Sequence, residues 1–87
     1  MGNKECIKAA AGKSRGHWVP VLAGSEMFVR GSRKRYAVIE KTESGNWIGI
    51  VWDSGMPEAV FEEGPMDDIA AKCAYTMGLD HEGVPNV

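Results

Sequence analysis

The chain has 87 residues, 44% of them hydrophobic, and a net charge of −2, which together bound it to one small domain, 1–87, and exclude a wholly disordered chain. A pI near 5.6 argues against a dedicated nucleic-acid binder. No apolar stretch approaches the ~20 residues of a membrane span, no apolar run follows Met1–Glu5 as a signal peptide requires, and Cys6 stands where a myristoylation motif wants Ser or Thr, so a soluble cytoplasmic protein is expected.

In chain order, Asn3 can cap a short helix over residues 4–11, which Gly12 would stop and whose survival depends on docking Ile7, Ala10 and Ala11. His17 to Leu22 is β-rich, but Pro20 lacks an N–H and demotes it to an edge strand or an irregular segment. A turn at 23–26 leads to a strand at 27–30, a basic turn at 31–34, and strands at 35–41 and 47–52. Ser44-Gly45-Asn46 between the last two supplies the positive φ a hairpin loop wants. After a break at 53–57, residues 58–62 form one more strand. Pro65 suits a helix start, with Asp67 and Asp68 in its first turn. Met66, Ile69, Ala70, Cys73 and Met77 recur at helical spacing, Gly78 is a C′ residue with Leu79 its trailing contact, and 80–87 reads as a tail. The expected fold class is α+β: an antiparallel meander of about four to five strands with a short N-terminal and a longer C-terminal helix, packed as a two-layer sandwich.

Strand side chains alternate sides. The aliphatic set Ile39, Ile48 and Ile50 makes the better face for the C-terminal helix, which leaves Tyr36, Val38, Trp47 and Val51 on the other. That second face is either covered by the N-terminal helix, left half-exposed, or offered as an aromatic patch to a partner.

Charge is sorted by position. Residues 1–41 sum to +6 and residues 42–87 to −8. Arg30, Arg33, Lys34, Arg35 and Tyr36 form the densest basic stretch, suited to phosphate contact and base stacking, or simply a solvated turn that keeps a sheet edge from pairing. Glu58, Glu62, Glu63, Asp67 and Asp68 form the acidic stretch, suited to docking on a basic groove, or an ordinary solvated helix start.

Catalytic signals are sparse. His17 and His81 are the two histidines, and Asp80-His81-Glu82 has ligand atoms without a second cluster at useful spacing for a metal. No G-x-S-x-G and no phosphate loop occurs. Cys6 and Cys73 read as two small buried hydrophobes in a reducing compartment. No cofactor and no metal site is expected.

Residues 35–78 carry a familiar order. Arg35 to Lys41, the polar turn to Asn46, Trp47 to Trp52, Met56 to Gly64 and the Ala-rich helix after it resemble HicB-type antitoxins. The resemblance implies a β-β-β-α partial RNase H-like domain that binds and silences a messenger-RNA-cleaving toxin. The chain departs from that pattern in the 34 residues ahead of the first matching strand, in the turn Asp53-Ser54-Gly55-Met56-Pro57, and in Gly64-Pro65-Met66-Asp67 at the helix start. In size and composition alone it is also similar to phage-encoded inhibitors of host defence, including anti-CRISPR proteins.

The function expected from the sequence is a non-catalytic inhibitor that docks on a nucleic-acid-handling protein (a toxin, a nuclease or a defence complex) through Glu58, Glu62, Glu63, Asp67, Asp68, Trp47 and Val51. The alternatives are a nucleic-acid-binding module using 30–36 and, third, a small metal-dependent enzyme. A homodimer is allowed and a membrane partner is not expected.

Overall fold

The computed structural model describes residues 2–21 and 26–79. They form helix α1 (Gly2–Ser14), strands β1 (Val19–Pro20), β2 (Met27–Gly31), β3 (Arg35–Lys41), β4 (Trp47–Asp53) and β5 (Met56–Gly64), and helix α2 (Met66–Thr76). The strands make one antiparallel sheet in the order β1-β2-β3-β4-β5. The architecture is the open two-layer α+β meander expected from the sequence, α2 packed on one sheet face and α1 laid on part of the other. The expected turn at 23–26 falls outside the described residues up to 25, and the tail at 80–87 falls wholly outside them.

The β3–β4 loop sets which residues are core. Thr42 N–H donates to Asn46 O at 2.7 Å and Gly45 N–H to Thr42 O at 3.0 Å, closing a tight loop that puts Lys41 opposite Trp47. Ile39 then faces Gly49 and Ala37 faces Val51. A one-residue difference in register moves every side chain to the other face. The expected set Ile39, Ile48 and Ile50 is therefore split, because Ile48 and Ile50 share their face with Val38 and Glu40 instead. Trp47 and Val51, expected on the face away from the C-terminal helix and as partner contacts, lie beneath α2 with 7% and 0% of their surface exposed. Gly49 between them is what lets α2 sit so close. A Cβ there would lie 2.7 Å from Cys73 Sγ and 2.8 Å from Ile69 Cγ2.

The main core joins Phe28, Ile39, Trp47 and Val51 of the sheet to Ile69 and Cys73 of α2, with Trp18 from the approach to β1. The rings of Phe28 and Trp47 meet at 6.0 Å in a tilted pair. Each such side chain contributes roughly 1.5–3 kcal/mol when fully buried. Helix α2 ends as predicted. Gly78 has φ 75°, its N–H donates to Tyr75 O at 2.9 Å, and Leu79 N–H donates to Ala74 O at 2.9 Å, while Leu79 packs on the core.

Helix α1 docks Ile7, Ala10 and Ala11 on Val29 and Tyr36, as the sequence suggests. It does not stop at Gly12. The chain turns at Gly16 (φ 82°), with His17 N–H bonded to Ser14 O at 2.7 Å, so α1 has 13 residues against the 11 of α2. Strand β5 starts at Met56, earlier than expected, since the turn before it is only Ser54-Gly55, both at positive φ, and Pro57 is tolerated on an edge strand.

Candidate functional site

The register sorts charge along the strands. Arg35 pairs with Asp53 at one end of the β3–β4 hairpin and Lys41 with Trp47 at the other. The first end carries the β2–β3 turn with Arg33 and Lys34, and the close of α1 with Lys13 and Arg15. The second carries Glu40 and Glu43, with Glu63 and the first turn of α2, Asp67 and Asp68, following where β5 closes against Trp47. Lys41 lies there too, 3.1 Å from Glu26.

The acidic stretch read from the sequence does not stay together. A bulge in β5, where Pro57 opposes Trp52 and Ala59 opposes Val51, leaves Glu58 as the extra residue. Glu58 meets Arg35 at the basic end, at 2.9 Å from Nε and 2.6 Å from Nη2. Glu62, Glu63, Asp67 and Asp68 are exposed toward the other end.

The basic stretch is dismantled further. Arg30 is 1% exposed and Tyr36 3%, so neither side chain is presented to a ligand. Alternation explains this: Arg30 points to the α2 side, and Tyr36 points under α1, where burial raises its phenol above the ordinary value. Arg35 is engaged by Glu58, whose hydrogen bonds raise the guanidinium further and hold it charged, and it also donates from Nη2 to Thr76 O at 2.9 Å. Of the five residues, Arg33 and Lys34 are left exposed.

Those two are joined by Lys13 and Arg15, which the sequence reading did not single out. All four line one groove of about 530 Å³ between α1 and the β2–β3 turn, together with Gly12 and Ser32. The joint is fixed by Ser14, fully buried, whose hydroxyl accepts from Gly31 N–H at 2.9 Å and donates to Ala11 O at 3.0 Å. Arg33 lies over Gly12, its Cγ 3.4 Å from where a Cβ would be. The separation of these partners in sequence hid the groove; the one available signal was Gly16, a stop that could fold Lys13 and Arg15 back toward the sheet.

A second concavity, about 380 Å³, opens on the sheet face that α1 covers only in part. Its walls include Ile7, Val38, Ile48, Ile50 and Trp52, with Glu40 at the acidic end. Val60, 60% exposed, pairs with Ile50 and extends this apolar face onto β5. Hydrophobicity alone hides this surface too, because it places Ile48 and Ile50 in the core.

The cysteines part company. Cys73 is buried among apolar groups, which pushes its thiol up to about 12, whereas Cys6 is exposed on α1, not buried as expected. His17 is exposed and His81 lies outside the described residues. Among the described residues no group of three or more His, Cys, Asp or Glu side chains could hold a metal ion, and no helix is long and apolar enough to cross a membrane. No family model matches the chain, and no curated protein and no solved structure matches it.

Proposed function

We propose that the chain is a cytoplasmic, non-catalytic docking domain, antitoxin-like or anti-defence-like in role, that engages a nucleic-acid-handling protein and blocks its basic groove. The observation that carries this reading is the apolar recess of Val38, Ile48, Ile50 and Trp52 with Glu40 in its wall and Glu62 on the neighbouring strand. An apolar centre with a charged rim is the anatomy of a protein interface. The acidic rim selects a partner whose own apolar contact is ringed by Lys and Arg, the surface that proteins offer to nucleic acid. Complementary charge would speed encounter and fix orientation.

The test is capture of a partner from host lysate followed by assay of its nuclease or nucleic-acid-binding activity with added protein. A stoichiometric partner should be inhibited by the wild type, escape the Val60→Asp and Glu62→Lys/Glu63→Lys variants, and still be held by Arg33→Gln/Lys34→Gln. A partner with no nucleic-acid activity, or one released only by the basic-turn variant, would refute the reading.

A further inference from the structure

We infer that the groove between the end of α1 and the β2–β3 turn binds the phosphodiester backbone of a single-stranded nucleic acid, a site separate from the protein-docking face. Lys13 closes α1 and Arg15 follows it, Arg33 and Lys34 come from the β2–β3 turn, and all four exposed cations line the same concavity. Among the described residues no carboxylate lines it. The carboxylates at this end of the sheet, Glu58 and Asp53, act on Arg35 instead.

One cation near the last turn is enough to complement a helix C-terminus. Four that share a recess repel one another, and the repulsion is relieved by a multivalent anion. Two pairs supplied by two separate segments of the chain suit a chain of phosphates better than a lone phosphate ion. The groove is also held in shape before any ligand arrives. Ser14 bonds the turn at Gly31, Ser32 and Arg35 close the turn through N–H to O at 2.7 Å, and Arg33 packs along Gly12. A concave recess receives a flexible single strand, whose backbone can be laid into it, more readily than the broad convex surface of a duplex. Phosphate contacts of this kind carry affinity without sequence preference.

The experiment is fluorescence anisotropy with short labelled single-stranded DNA and RNA of mixed sequence. With four phosphates neutralised, affinity should fall about fifty-fold between roughly 50 and 200 mM salt. Arg33→Gln/Lys34→Gln and Lys13→Gln/Arg15→Gln should each weaken binding by about tenfold and flatten the salt dependence. Glu62→Lys/Glu63→Lys should leave that slope unchanged. Circular dichroism melts of the same variants confirm that they fold, since all four cations are exposed. No affinity at low salt, affinity indifferent to both groove variants, or tighter binding of duplex DNA or polyglutamate than of the single strand would each overturn the inference.

Discussion

Arg35 and Glu58 make a two-point bridge, Nε to Oε1 at 2.9 Å and Nη2 to Oε2 at 2.6 Å, and the same Nη2 reaches Thr76 O at 2.9 Å. One guanidinium thus ties β3 to the bulge of β5 and closes the C-terminus of α2. It also pairs one charge of each sign at the surface, so neither stands alone for a partner.

Because the planar fork meets two oxygens and a carbonyl, an ammonium cannot replace it. Arg35→Lys and Glu58→Gln should each lower the midpoint of thermal unfolding. The double variant should fall by less than the sum, as a double-mutant cycle detects for residues in direct contact. Strict additivity would mean that the bridge carries no coupling.

Gly49→Ala drives a methyl group against Cys73 Sγ and Ile69 Cγ2 at 2.7 and 2.8 Å. Overpacking of this kind costs about 1–3 kcal/mol. The urea midpoint should drop accordingly, and Cys73→Ala should recover part of the loss in the double variant, since it removes the nearer of the two atoms.

Ser14→Ala removes the acceptor of Gly31 N–H and leaves a buried donor alone. The expected loss is about 1–3 kcal/mol. Amide exchange at Gly31 should accelerate more than exchange in β4, and nucleic-acid affinity should fall, because the turn bearing Arg33 and Lys34 loses its anchor.

Thiol chemistry separates the two cysteines. At pH 8 a thiol reagent should label Cys6 rapidly and Cys73 only on unfolding. Cys73 is raised from 9.0 to about 12 by burial, so between those values the folded chain keeps a proton that the unfolded chain has released. Its contribution to stability is complete below about pH 9 and is lost as pH climbs toward 12. The phenol of Tyr36, raised by burial as well, adds a loss in the same direction above its ordinary 10.0. Melts across this window should flatten in Cys73→Ala, and further in Cys73→Ala/Tyr36→Phe.

Much of the fold is legible in the residues. Ser44-Gly45-Asn46 announces the hairpin, the stripe from Met66 to Met77 announces α2, and Gly78 its end. The faces of the sheet are not legible from hydrophobicity, which favours Ile48 and Ile50 over Trp47, Gly49 and Val51 as core. The parity of the loop from Thr42 to Asn46 decides the matter, together with the room that Gly49 gives α2. The candidate sites follow the same division. Arg33 and Lys34 are readable as an exposed basic turn, but their companionship with Lys13 and Arg15 depends on the bond between Ser14 and Gly31, a contact across 17 positions that no local pattern encodes.

Because each strand pairs with its neighbour in the chain, the sheet can zip together hairpin by hairpin with no segment waiting on a remote one. Helix α1 is the exception. Its resting place on Val29 and Tyr36 exists only once β2 and β3 have paired. A helix of 13 residues is marginal by itself, so α1 is secured by a hairpin that lies downstream of it and not by its own turns.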